Sequence, residues 1–334
     1  MRELPKVELH LHLDCSLSYK AVAQLDDSIS LEEYRQEFIA PPRCTSLADF
    51  LTRAPRGFRL MQDEAALALV VEDLFEQLAQ DNVIYAEIRF APLLHLERGL
   101  TPAEVVAAVD RATEAAIAAT GIEARIILCT LRHFSPEQGL DTARLVEQFR
   151  GSRVVALDIA GDEAGHPVDP HIPAFHHAID QGLHRTAHAG EARGAGSVWE
   201  TLREFQPARI GHGVRSIDDA ALVEHLRREQ IHLEVCPTSN VQTCICENFT
   251  DHAVDRLYRA GVPLSISTDT RTITNITLTD EYCNLQEHFG WTEADLLACN
   301  RAALDAAFIE DSTKRILRER LQRGYDAART ATAQ

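Results

Sequence analysis

Eight short strand-like segments alternate with helix-like stretches along almost the whole chain, and this alternation limits the fold more than any other feature. The strand candidates are Val7–Leu13, Asn82–Phe90, Ala124–Leu131, Val154–Ile159, His184–His188, Arg209–Gly211, His232–Cys236 and Leu264–Thr268. Amphipathic helical patterns lie between them, as in Glu64–Gln80, Pro102–Ala119, Pro136–Phe149, Asp218–Glu229 and Asp251–Ala260. Thr101-Pro102 and Ser135-Pro136 are ready-made helix starts, a capping hydroxyl followed by a residue that needs no N–H partner. Strands joined by helical crossovers run parallel, and eight such units close a barrel. An open doubly wound sheet is the alternative, but no GxGxxG turn follows the first strand. The expected fold is therefore α/β, a (β/α)₈ TIM barrel spanning residues 1–334 as a single domain. Residues 15–63 and 276–324 break the alternation with extra helical pieces. Both are expected at the ends of the barrel, the first as a lid and the second as a C-terminal cap.

Composition narrows the partners. Hydrophobic residues make up 45% of the chain but aromatics only 6%, which suits helices packed on a buried parallel sheet. The formal charge is −18, and 30 of the 33 basic residues are arginine. So acidic a surface repels phosphate backbones and anionic lipid, which argues against nucleic acid and membrane partners. No segment approaches the roughly 20 apolar residues of a membrane span, and the first residues alternate apolar and polar, unlike a secretory leader. A cytoplasmic enzyme is expected, with its eight cysteines reduced and mostly in the core. Cys244-Ile245-Cys246 lacks a second cysteine pair at zinc-finger spacing and is read as structural. The segment Ala328–Gln334 is expected to fray.

The chemistry-bearing residues sit at strand ends. Side chains two apart on a strand share a face, so His10 and His12 both point into the barrel while Val7, Leu9, Leu11 and Leu13 face the helices. His188 ends the fifth strand and Asp269 ends the eighth. Three imidazoles and a carboxylate at the C-terminal rim form a nitrogen/oxygen site suited to one Zn²⁺. Such an ion activates water for hydrolysis. Glu191, just past the fifth strand, could hold a proton in a dry pocket and act as an acid. His212 ends the sixth strand between two glycines, where it could orient the water or take its proton. The chain has only Lys6, Lys20 and Lys314, none ending a middle strand, which argues against a two-metal site bridged by a modified lysine and for one metal. The H-x-E…P-C-x-x-C pattern of cysteine-ligated deaminases is absent too.

Taken together, PKVELHLHLD, SLADFL, YAEIRFAP, ILCTLRH, VVALDIAGDE, HRTAHAGE, RIGHG, HLEVCPTSN and STD, in this order, resemble the adenosine deaminase branch of the metal-dependent amidohydrolases. The resemblance covers nearly the whole chain. It implies one zinc ion on His10, His12, His188 and Asp269, and hydrolytic loss of ammonia from C6 of a purine. Glu191 matches the residue that protonates N1, and His212 the histidine on the attacking water. His212 and Asp269 would together orient that water and accept its proton. Gly161 matches the glycine whose N–H meets N3, and Asp14 the carboxylate that receives the ribose 5′-hydroxyl. Leu47, Phe50 and Leu51 match the lid over the base.

Four positions depart from the pattern. Cys15 replaces a glycine, Ala91 the serine of animal enzymes, and Ala54 a common lid phenylalanine. Thr270 replaces the second aspartate of the usual STDD, which bonds purine N7. A threonine hydroxyl can still donate to N7 but carries no charge. The expected substrate is a small-molecule purine nucleoside, adenosine or 2′-deoxyadenosine, acted on by a monomer or homodimer. Aminodeoxyfutalosine, an N6-substituted purine or adenine is the alternative under the same chemistry. An inactive binding homologue would have lost ligands or Glu191, and this chain keeps them all.

Overall fold

A computed structural model describes residues 1–332. Eight parallel strands follow one another in chain order around a barrel: β1 (Lys6–His12), β2 (Val83–Phe90), β3 (Glu123–Leu131), β4 (Val154–Ala160), β5 (His184–Ala189), β6 (Arg209–His212), β7 (His232–Val235) and β8 (Leu264–Ile266). Each pairs with the next in parallel register. The ring closes through a single bridge between Leu11 and Asp269. Two backbone bonds secure it: His12 N–H donates to the Asp269 carbonyl at 2.8 Å, and Asp269 N–H to the His10 carbonyl at 3.1 Å. Closure therefore places the end of the last strand directly beside the two histidines of the first.

Helices shield the outer face. The helix Glu64–Gln80 has the expected bounds, and those starting at Pro102 and Pro136 carry full capping boxes. The expected helix at Asp251–Ala260 begins only at Val254, because Phe249–Asp251 form a tighter 3₁₀ turn and His252 is extended. The helix expected from Asp218 begins at Ala220, where Asp219 caps it. Residues 15–63 fold into four short helices, Tyr19–Leu25, Leu31–Glu37, Leu47–Leu51 and Ala54–Phe58, the last two over the C-terminal rim.

The C-terminal helices do not all cap an end. Glu293–Ala306 packs along β8 and β1, filling the place of the last crossover, and Asn300 accepts the Val7 N–H at 2.7 Å. The final helix runs from Asp311 to Thr332, so most of the segment expected to fray is helical, while Ala333 and Gln334 lie outside the described residues. No helix among the described residues is long and apolar enough to cross a membrane. All eight cysteines are free, but only Cys44, Cys129, Cys236 and Cys299 are buried.

The barrel interior is charged. Arg89 bonds Asp158 at 2.7 Å and Glu234 at 2.6 Å, and Arg209 bonds Glu234 at 2.6 Å and also Glu87. All five side chains are fully buried. Buried charges persist only when paired, and this pairing forms a floor beneath the C-terminal rim.

Candidate metal centre and active site

His10 and His188 are held by that floor. His10 Nδ1 lies 2.9 Å from Glu234 Oε2, and His188 Nδ1 lies 3.1 Å from Asp158 Oδ2. A carboxylate accepts, so each ring donates from Nδ1 and turns its Nε2 lone pair inward. His12 Nε2 sits 3.2 Å from His188 Nε2, and Asp269 Oδ1 lies 3.4 Å from His10 Nε2 and 3.5 Å from His12 Nε2. The ligand atoms of these four residues all fall within 4.8 Å of one another. His10 Nε2 is buried without a hydrogen-bond partner, and burial together with neighbouring histidines holds His12 well below its usual range. Imidazole nitrogens and a carboxylate oxygen converging at this range suit a shared cation, and the donor set fits zinc.

Backbone geometry serves the same end. Asp269 and His212 have φ of 66° and 59°, left-handed values that a non-glycine residue holds only under constraint. Asp269 is locked by the closure bonds and by Ser239, whose hydroxyl donates to Oδ2 at 2.7 Å. His212 Nε2 lies 3.7 Å from Glu191 Oε2. Burial, with Asp269 and Glu163 nearby, pushes the Glu191 carboxyl well above its ordinary range and so favours its protonated form. Burial and the adjacent His10 push His212 well down, leaving it neutral.

A cavity of about 420 Å³ opens above these groups. Asp14, Gly161, Thr270, Leu47, Phe50 and Leu51 all line it, with His12, His188, Glu191, His212 and Asp269 at its base. His10 lies behind this wall, within the ligand cluster. Gly161 has φ 101°, which only glycine adopts readily, and so turns its backbone toward the cavity. Asp14 accepts the Ala91 N–H at 3.2 Å, and burial raises its carboxyl to about 6. The Thr270 hydroxyl is buried without a partner. Phe58 shares the wall with Ala54. A larger groove of about 1070 Å³ opens near the strands' other ends, around Arg209, His184 and Phe308, and contains none of these residues.

The Cys244–Cys246 pair joins no ligand cluster among the described residues. Sequence reasoning missed Glu234, Ser239, Asn240 and His252 as supports of the site. The signal for Glu234 was a lone carboxylate within an apolar strand run, a position that must be paired when buried.

The family model described as adenosine deaminase matches residues 5–324. The chain belongs to the adenosine deaminase family. An adenosine deaminase from Lacticaseibacillus paracasei is 37% identical over 331 residues, covering 97% of each chain. An Arabidopsis N6-mAMP deaminase structure superposes with a TM-score of 0.85 at 26% identity, covering 98% of each chain. A zinc-bound amidohydrolase from Burkholderia ambifaria reaches a TM-score of 0.91 at 23% identity, over 100% of this chain and 94% of that one, a likeness of fold.

Proposed function

We propose that this chain is one catalytic unit that hydrolyses the 6-amino group of a purine nucleoside, adenosine or 2′-deoxyadenosine, giving the inosine product and ammonia. One zinc ion would be held by His10, His12, His188 and Asp269. The observation that carries the reading is the buried Glu191, whose surroundings favour the protonated carboxyl, lining the same cavity as His12, His188 and Asp269. When bound, the ion lowers the pKa of water from about 15.7 to roughly 7 and so supplies a nucleophile at neutral pH.

The chain's own residues do the rest. Glu191 donates its proton to ring N1, making C6 electrophilic as aromaticity is lost. Asp269, with Oδ2 held by Ser239, orients the attacking water and accepts its proton. His212 bears on the same water. Gly161 meets N3, Thr270 faces N7, Asp14 takes the 5′-hydroxyl, and Leu47, Phe50 and Leu51 exclude solvent. Among the described residues no lysine or arginine lines the cavity, while Asp14 and Asp162 do, which favours a nucleoside over a nucleotide.

The free Thr270 hydroxyl and the small Ala54 side chain keep a second reading open. The same chemistry would then act on aminodeoxyfutalosine, an N6-substituted purine or adenine. The test is zinc-loaded enzyme with adenosine, following loss of adenine absorbance, beside a panel of 6-aminopurines ranked by kcat/KM. Absence of turnover with every member would sink the reading.

A further inference from the structure

His212 does not stand alone in the cleft wall. Behind it runs a buried chain of hydrogen bonds through Asn240 and His252 to the start of the helix Val254–Arg259. The Val254 backbone N–H donates to His252 Nδ1 at 3.0 Å. A backbone amide can only donate, so His252 Nδ1 carries a lone pair, and the neutral ring holds its proton on Nε2. Burial pushes His252 down to about 3, which keeps it neutral. His252 Nε2 is 3.1 Å from Asn240 Oδ1, and Asn240 Nδ2 is 3.0 Å from His212 Nδ1. The Asn240 carboxamide cannot be reversed, because its amino group would then face the His252 N–H, donor against donor. Its amino group therefore donates to His212 Nδ1, and the neutral His212 ring must carry its proton on Nε2, the nitrogen that faces Glu191 and the cavity.

We propose that Asn240 and His252 are positioning residues that lock His212 in its Nε2–H tautomer, so that His212 acts as a hydrogen-bond donor in the reaction and not as a base. This inference rests on the proposed function for its chemical meaning, but not for the tautomer itself. A ring presenting N–H cannot remove a proton from water. It donates to the attacking oxygen instead, where negative charge gathers as the tetrahedral centre forms. Proton acceptance then falls to Asp269, the one group of the pair with acceptor lone pairs toward the cavity, even with the Ser239 hydroxyl on its Oδ2. Asn240 and His252 are almost fully buried and line no part of the cavity.

The test uses zinc-loaded enzyme with ¹⁵N-labelled histidine, His212 being assigned from the signals lost in His212→Asn. The expected spectrum has a protonated Nε2 and an unprotonated Nδ1. A proton on Nδ1, or on both nitrogens, would overturn the proposal. Asn240→Asp places a carboxylate against Nδ1 in the same volume and should draw the proton there. The expected result is a changed ¹⁵N pattern, with kcat lower by about 10²–10³-fold, the loss typical of one removed oxyanion donor, and KM within about threefold. Retention of the wild-type tautomer and rate in that variant would also overturn it. If Asn240→Asp loses zinc or fails to fold, the wild-type spectrum decides alone. Failure of the wild-type enzyme on every 6-aminopurine would refute the proposed function and leave the tautomer standing.

Discussion

Thr270, which stands where the family pattern has a second aspartate, lines the cavity. Its hydroxyl is almost completely buried and has no protein partner. An unpaired buried hydroxyl costs about 1–3 kcal/mol, and a ligand atom that accepts from it recovers part of that. A carboxyl at this position donates to an N7 acceptor only in its protonated form, whose more acidic O–H is a stronger donor than a threonine hydroxyl. Thr270→Asp is therefore expected to raise kcat/KM for adenosine by about tenfold, mostly through KM, in steady-state assays. An unchanged or lower value would mean that Thr270 is matched to a different base. Glu191 gives the complementary test. Its proton-holding form is the active one, so activity should fall at alkaline pH as that proton is lost. Glu191→Gln should lower kcat by at least about 10²-fold while zinc content stays at wild-type level, as metal analysis would report. The convergence of His10, His12, His188 and Asp269 was legible in the sequence because all lie at strand ends, the first two with period-two spacing. The tautomer of His212 was not, because it depends on His252, forty residues further along and brought close only by the closed barrel.

β4 shows how one element serves the site without contributing a ligand. Asp158, within the strand, accepts from His188 Nδ1, and Gly161, just past it, lines the cavity. Glu163, two residues on, is almost fully buried and accepts the backbone N–H groups of Gly190, Glu191 and Arg193 at 2.8, 2.9 and 2.8 Å, together with the Ser197 hydroxyl. Four donors saturate this carboxylate and hold the turn that carries Glu191. Its negative charge also favours the protonated form of Glu191, alongside the effects of burial and Asp269. Glu163→Gln keeps the shape but sets an amino group against backbone donors. The expected outcome is a fall in kcat of about 10²-fold, the scale of a 1 Å misplacement, with the alkaline limit of activity moved to lower pH. Pre-steady-state rates across pH would reveal both. The strand alternation made the barrel legible, and the family motifs marked this loop. The donors on Glu163 were hidden because they are backbone amides of the next βα turn, which residue identity does not encode. The C-terminal segment was misplaced for a similar reason: helical periodicity gives a helix its apolar face but not the wall it covers.

At the scale of the whole molecule, stability is tied to the metal and to pH. Three imidazoles and a carboxylate converge within a buried space, so zinc should bind the folded chain far better than the unfolded one. Saturation at 100 times Kd stabilises by about 2.7 kcal/mol. Chelation should accordingly lower Tm by several degrees, and added zinc should restore it in a scanning calorimeter. The pH dependence has a separate source in Glu281, on the helix Leu278–Phe289. This side chain is fully buried; Oε1 accepts the Thr238 N–H at 2.9 Å, and Oε2 has no partner. Burial raises its pKa to about 8 from an ordinary value near 4.5. The unfolded chain releases this proton above the lower value, while the folded chain holds it up to the higher one. The contribution of Glu281 is thus fully present below about pH 4.5 and is lost as pH rises toward 8, by about 1.4 kcal/mol per unit. Glu281→Gln cannot titrate and keeps an oxygen for the Thr238 amide, so its denaturation midpoint should fall less steeply over that interval. Parallel urea titrations of the zinc-saturated proteins from pH 5 to about 8 would measure the difference, and identical slopes for the two would show that Glu281 is already ionised in the folded state.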